Sequence, residues 1–310
     1  MSLVFLFPGQ GAQRPGMLHE LPSHPAIQAT LHEASEILNM DVLALDTQAS
    51  LQTTDHVQLA LCISGVAVAR ALQKEGVKPA YVAGHSAGAF AAAVISGAIT
   101  LKDTLPLVRL RGEGMMTAYP EGYGMGVVTG LLRREVEVVV NQIHTEENPV
   151  YISNLNAPTQ ISIAGKLEAI DKVLATCLKN GARKAIRLNM NVPSHCKLLD
   201  PVSLKLKEAI GHIQMKEPLI PYAGNVRGRV LRTANDIGQD LATNIAHPVR
   251  WDEVSTLIYE LGGRLFLEMP PGQVLSDLSR EAFAEARTAA LQMTSLESAV
   301  VLSERYSDGV

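Results

Sequence analysis

The chain has only three cysteines, Cys62, Cys177 and Cys196, scattered and never in Cys-x-x-Cys spacing. An odd, dispersed set argues against a disulfide framework and against a structural zinc site, and no metal site is expected. The three read as buried free thiols in a reducing compartment. The chain also lacks any block of lysine and arginine, and its formal net charge is −4. Nucleic acid is therefore not an expected partner, although a small anionic ligand needs only one or two placed cations. No apolar run is long enough for a bilayer: the most apolar stretch, Leu59 to Leu72, is short and interrupted by Arg70. The first residues, Met-Ser-Leu-Val-Phe-Leu-Phe, have no basic flank, and Pro8 and Gly9 stop them. They read as a buried strand and not as a signal peptide. Internal repeats and low-complexity segments are absent. A cytoplasmic location without a membrane partner is the expectation.

What is present is apolar patterning. Of 310 residues, 47% are hydrophobic and 19% charged, enough for one large α/β domain or a large domain carrying a smaller one. Leu3 to Phe7 reads as a strand buried on both faces. A helical period follows over 25–39, then a long helix from Val57 to Lys74 closed by Gly76. Ala80 to Ala83 is a short strand, Gly84 to Gly88 a sharp turn, Ala89 to Ser96 an Ala-rich helix, and Leu101 to Met116 a helix bearing Arg109 and Arg111. This alternation predicts a mostly parallel sheet.

The pattern changes after about Pro120. Strands are predicted over Gly124–Leu131, Val150–Leu155, Thr159–Ala164 and Arg183–Met190, with helices over Arg134–His144 and Leu167–Asn180. Asn156-Ala157-Pro158 reads as the turn between the two middle strands. The order β-α-β-β-α-β is that of a ferredoxin-like module. It reads as an insertion, because α/β patterning then resumes. A helix is predicted over Pro201–Ile213, a strand near Ile220–Ala223, helices near Ile237–Ala246 and over Val254–Leu261, and a strand over Arg264–Met269. The expected division is 1–121 with 191–310 for the large domain and 122–190 for the inserted subdomain.

Gly84-His85-Ser86-Ala87-Gly88 lies between a buried strand and a small-residue helix. Gly-x-Ser-x-Gly in that setting is the pattern of a nucleophile elbow. The turn strains the serine backbone, and side chains at the two glycines would collide with neighbouring elements. The following helix points its free N–H groups at the serine, so the Ala87 N–H is the natural first donor to an oxyanion. His85, adjacent on a sharp turn, reads as structural or as a pocket wall; the base must come from elsewhere. The first loop, Phe7-Pro8-Gly9-Gln10-Gly11-Ala12-Gln13, starts like a dinucleotide fingerprint, but Arg14 stands where its third glycine belongs. The Gln10 N–H is the better reading, as a second oxyanion donor.

These pieces, with Arg111-Gly112, Val192-Pro193-Ser194-His195-Cys196, Asn244-Ile245-Ala246-His247-Pro248-Val249-Arg250-Trp251 and Pro271-Gly272-Gln273-Val274-Leu275, occur in one order over nearly the whole chain. Together they resemble the malonyl-CoA:acyl-carrier-protein transacylase family. The resemblance implies an α/β-hydrolase-like large domain with a mostly parallel sheet and an inserted ferredoxin-like α+β subdomain. It implies that Ser86 is the acylated nucleophile and His195 the general base. No acidic third member is evident, since Asp200 follows His195 too closely to be an assured partner. The family orients the imidazole through a polar residue and main-chain carbonyl at the position of Asn244. Arg111 matches the arginine that holds the free malonyl carboxylate, a task suited to a planar guanidinium. Arg109 reads as a solvated surface arginine. Asn154 and Asn156 match polar positions facing the site, and Gln58 a pocket-edge glutamine.

The resemblance further implies malonyl-CoA as donor, the phosphopantetheine-type thiol of an acyl-carrier protein or carrier subunit as acceptor, and no tightly bound cofactor. Ala87 and Ala89 replace the Leu and Glu usual in members serving fatty-acid synthesis. Asp55-His56-Val57-Gln58-Leu59-Ala60-Leu61 departs from the usual Gln-Pro-Ala-Leu. These variants look more like the acyltransferase (epsilon) subunit of malonate decarboxylase. The alternatives are a malonyl transacylase of fatty-acid or polyketide synthesis, a thioesterase-like serine hydrolase using the same turn, and a non-catalytic scaffold that keeps the fold alone.

Overall fold

A computed structural model describes residues 2–119 and 121–307. The change of pattern near Pro120 falls on a residue outside those described. In chain order the strands are β1 (Ser2–Phe7), β2 (Tyr81–Gly84), β3 (Tyr123–Thr129), β4 (Val150–Ala157), β5 (Gln160–Lys166), β6 (Lys184–Arg187), β7 (Tyr222–Ala223), β8 (Val230–Leu231), β9 (Gly263–Glu268) and β10 (Arg287–Ala290). The helices are α1 (Pro25–Leu38), α2 (Thr54–Lys74), α3 (Gly88–Ser96), α4 (Leu101–Ala118), α5 (Arg133–Ile143), α6 (Leu167–Lys179), α7 (Asp200–Gly211), α8 (Ala234–Thr243), α9 (Trp251–Glu260), α10 (Val274–Ala282) and α11 (Leu296–Ser307).

The larger sheet has six strands in the order β10-β9-β1-β2-β7-β8, and every pairing but β7 with β8 is parallel. This is the arrangement that apolar runs such as Val4 to Phe7, buried on both faces, require. β1 and β2 are neighbours with Phe7 opposite Gly84, so the loops leaving their C-terminal ends emerge side by side. Among the described residues, α2 is the one helix long and apolar enough to cross a membrane, and it is the core helix of this layer, mostly buried.

The smaller sheet has four antiparallel strands in the order β4-β5-β3-β6. One face packs Val128, Ile161 and Ile163 under Val136 and Val140 of α5 and Ile170 and Val173 of α6. The other face turns Met125, Asn154 and Ser162 toward the large sheet. Backbone bonds tie the two units: Leu155 N–H donates to Val249 O (2.8 Å) and Val249 N–H to Ser153 O (2.9 Å).

Some boundaries differ from expectation. Asn156 and Ala157 belong to β4, and only Pro158 and Thr159 turn, because Ala157 pairs directly with Gln160 across a two-residue hairpin. The strand expected over 183–190 ends at Arg187, since the Met190 N–H folds back onto Leu188 O. The helix expected to reach Ala246 stops at Thr243 and tightens into a single 3-10 turn, Asn244–Ala246.

Candidate active site

β2 delivers the chain into a turn that only small residues permit. A Cβ on Gly84 would lie 2.1 Å from the Gly88 carbonyl oxygen, so the turn is as tight as backbone allows. Ser86 adopts a left-handed conformation with φ 56°, a cost of order 1–3 kcal/mol for a non-glycine residue unless its surroundings over-determine it. They do so here. The His85 N–H donates to Phe7 O (2.9 Å), and the Ser86 N–H donates to Asn225 Oδ1 (3.0 Å).

His195, also left-handed at φ 58°, is held by its N–H on Ile245 O at 2.7 Å. Its Nδ1 lies 2.5 Å from Asn244 O and its Nε2 2.6 Å from Ser86 Oγ. A carbonyl only accepts, so Nδ1 carries the proton and Nε2 presents a lone pair to the Ser86 hydroxyl. That is the geometry in which an imidazole takes a proton from an attacking hydroxyl. Burial, then the nearby charge of Arg111, push the imidazolium pKa down to about 3. The ring is therefore neutral at any ordinary pH. Asp200, at the exposed start of α7, has no bond to the ring. The Asn244 contribution is its carbonyl alone: its own amide is buried and makes no hydrogen bond with described residues.

Arg111 reaches the same point from α4. Gly112 allows the approach, since a Cβ there would sit 2.3 Å from Asp55 Cα on α2. The crossing brings Gln58 of α2 to Arg111, whose Nη1 donates to Gln58 Oε1 at 2.7 Å, while Gln58 Nε2 donates to Met115 Sδ at 3.2 Å. Arg111 Nη2 stands 3.3 Å from Ser86 Oγ, and its Nε makes no hydrogen bond with described residues. The guanidinium is 1% exposed. Burial lowers its pKa to about 9, and no carboxylate raises it again. It remains a cation at neutral pH in a cavity with no carboxylate among the described lining residues, an arrangement that invites an anionic ligand.

Ser86, His85, Arg111, Gln10, Asn154, Asn156 and His195 line one cavity of about 410 Å³. His85 Nε2 donates to Asn156 Oδ1 at 3.0 Å and its ring stands edge-on to Trp251. Ser153 Oγ donates to Ser194 O at 2.9 Å, tying β4 to the loop that carries His195. The backbone N–H groups of Gln10 and Ala87 make no hydrogen bond within the described residues. Gln58 and Asn244 stand behind the lining, Gln58 against Arg111 and Met115 and Asn244 against His195. Arg109 is half-buried, its Nη2 3.8 Å from Met40 Sδ. Sequence reasoning missed Asn225, whose one signal is a lone amide just beyond a buried strand. It also missed Met115, one helical turn after Arg111.

The acyl transferase domain family matches residues 4–303. A malonyl CoA-acyl carrier protein transacylase of Bacillus subtilis is 34% identical over 295 residues, 94% of this chain and 93% of that protein. The structure of the malonyl CoA-acyl carrier protein transacylase from Coxiella burnetii superposes with a TM-score of 0.93 at 34% identity, covering 98% of each chain. A malonyl-transacylase solved in complex with its type II PKS acyl-carrier protein gives 0.92 at 34% identity, covering 99% of this chain and 100% of that one. Sequence and fold agree along nearly the full length, and the chain belongs to the acyl transferase domain family.

Proposed function

We propose that the protein transfers malonyl from malonyl-CoA to the thiol of an acyl-carrier protein through an ester on Ser86. The observation that carries the reading is the buried Arg111 cation, without a carboxylate partner among the described residues, whose Nη2 stands 3.3 Å from Ser86 Oγ. A carboxylate bound there holds its thioester carbonyl against the serine. His195 Nε2 takes the hydroxyl proton as Oγ bonds to the carbonyl carbon, and the oxyanion is received by the N–H groups of Gln10 and Ala87. The carbon–sulfur bond then breaks, the proton passes to the CoA thiolate, and CoA leaves. The carrier thiol attacks the ester in the same way, giving its proton to His195, which returns it to Ser86. No tightly bound cofactor is called for. A main-chain carbonyl, not a carboxylate, behind His195 also favours transfer over a thioesterase-like hydrolysis.

The same reading assigns His85, Asn154 and Asn156 to the substrate wall, Gln58 to the support of Arg111, and the Asn244 carbonyl to the support of His195. It divides the chain into 1–121 with 191–310, carrying Ser86, Arg111 and His195, and a ferredoxin-like subdomain over 122–190. All four strands of the small sheet fall in that second interval. The protein is placed in the cytoplasm, where CoA thioesters and carriers meet.

For the acceptor, Ala87 and Ala89 favour the carrier subunit of malonate decarboxylase, whereas relatives named for acyl-carrier protein, one of them solved with a type II PKS carrier, favour the alternative of fatty-acid or polyketide synthesis. The test is to offer the malonylated enzyme both carrier types and weigh the products by mass spectrometry. Faster charging of the decarboxylase carrier supports that role; faster charging of the fatty-acid carrier assigns the protein there. Release of free malonate at the rate of carrier charging would contradict transfer altogether.

A further inference from the structure

A buried carboxylate does lie near the site, but it serves the serine and not the histidine. Asp240 of α8 is 5% exposed. Its Oδ2 accepts from the Asn225 N–H (3.1 Å) and the Tyr222 hydroxyl (2.9 Å), and its Oδ1 accepts from the Val226 N–H (2.9 Å). These donors fix the backbone of Asn225, whose side chain is itself buried at 2% exposure. The Asn225 amide then spans the serine turn. Its Oδ1 accepts from the Ser86 N–H (3.0 Å), and its Nδ2 donates to Gly84 O (2.9 Å).

Resting on the reading of Ser86 as nucleophile, we propose that Asn225 is a positioning residue. Its amide locks Ser86 in the left-handed conformation that aims Oγ at His195, and it withdraws the Ser86 N–H from the oxyanion site, with Asp240 holding the amide from behind.

Three observations converge on this. A non-glycine residue at φ 56° persists only where several contacts fix it. The two groups to be matched are a donor and an acceptor, and a carboxamide offers one of each in a plane at any pH, which a carboxyl does only when protonated. With the Ser86 N–H taken, the donors left to an oxyanion are those of Ala87 and Gln10, both without a partner among the described residues.

The substitution Asn225→Asp makes a distinctive test. An ionised carboxylate accepts from the Ser86 N–H but sets an oxygen against Gly84 O; a protonated carboxyl restores both bonds. The introduced group faces Asp240 from α8, whose charge favours protonation, and the neutral Tyr222 hydroxyl from β7. His85 and His195 face it as neutral rings across the turn. Arg111 from α4 opposes protonation, from the far side of Ser86. The His195 base stays neutral through this range, so acid rescue of the variant is readable against a flat wild-type profile.

The readouts are the rate at which a serine-directed fluorophosphonate labels Ser86, which needs no acyl donor, and kcat and KM for malonyl-CoA. At pH 8 Asn225→Asp is expected to lower labelling and kcat about 10- to 100-fold, the scale set by a misplaced reacting group, with KM nearly unchanged. The loss should shrink severalfold by pH 5.5, whereas Asn225→Leu, which makes neither bond, should show no recovery. Wild-type rates per folded molecule, or a loss with the same pH dependence in both variants, would overturn the proposal. Should Asn225→Asp not fold, Tyr222→Phe removes one donor to Asp240. A severalfold drop in kcat at constant KM supports the proposal, and an unchanged kcat overturns it. A wild-type protein that reacts with the fluorophosphonate but not with malonyl-CoA would sink the malonyl reading and leave this comparison standing.

Discussion

Replacing Arg111 with alanine separates recognition of the acyl group from the chemistry at Ser86. The guanidinium is buried, keeps Gln58 Oε1 at 2.7 Å, and has donors free beside Ser86 Oγ. Hydrogen bonds to a charged partner contribute about 1.5–3 kcal/mol each, and a carboxylate on a guanidinium makes two. Losing both removes roughly 3–6 kcal/mol, which lowers kcat/KM for malonyl-CoA by roughly 10²–10⁴-fold. An acetyl donor has no carboxylate, so its slow transfer should survive or rise once the solitary cation is gone. Stability offers an independent reading. Removing an unpaired buried charge favours the fold, and the cavity left behind opposes it, so the melting temperature of Arg111→Ala without ligand should stay near that of the wild type. Free malonate should raise the wild-type melting temperature and leave that of the variant unmoved. The assay is the rate of enzyme acylation by malonyl-CoA and acetyl-CoA in parallel. Equal loss for the two donors, or malonate stabilisation that persists in the variant, would refute the argument.

Three further expectations concern His195 and Gln58. With the His195 pKa pushed down to about 3, first by burial and then by Arg111, the neutral base is present at every pH above that, so kcat/KM should be flat from about pH 5 to 8. An acid limb between 6 and 7 would contradict this, and loss of the Arg111 charge should move the limb upward in the acetyl reaction. The same lowering means that the unfolded chain binds the extra proton between about 3 and the ordinary 6.5, so stability should fall as pH drops through that window in a denaturant titration. Gln58→Leu deprives Arg111 Nη1 of its oxygen acceptor, leaving it only Met115 Sδ at 3.6 Å, and should raise KM for malonyl-CoA about tenfold with little change in kcat. An equal change for acetyl-CoA would assign Gln58 to packing.

How much of this was legible in the sequence follows from the range of each interaction. The Ser86 turn was readable because its glycines, strand and helix are contiguous. Leu3–Phe7 and the β-α-β-β-α-β order were readable because each element announces its own period. β10, α10 and α11 went unread, since Arg287–Ala290 is four residues long with little alternation and sits at a sheet edge. His195 and Arg111 carried meaning only as parts of an ordered set of motifs, because a lone histidine or arginine has many uses. For Asn244 the sequence pointed to a polar residue and a main-chain carbonyl; the structure sets the carbonyl 2.5 Å from His195 Nδ1 and leaves the amide without a hydrogen bond among the described residues, and main-chain carbonyls leave no mark on residue identity. Asn225 and Asp240 were invisible for a related reason. Asn225 meets a turn 139 positions away through bonds that depend on the parallel pairing of β2 and β7, and no local pattern encodes that neighbour.

On the proposed function, Ser86 carries the malonyl group between donor and acceptor. Incubation with malonyl-CoA in the absence of any carrier, followed by peptide mass spectrometry, tests it most directly. The expected result is a stable malonyl ester on Ser86, little acetyl from acetyl-CoA, and none of either in Ser86→Ala. No adduct from either donor, or malonyl on a different residue that survives Ser86→Ala, would contradict it.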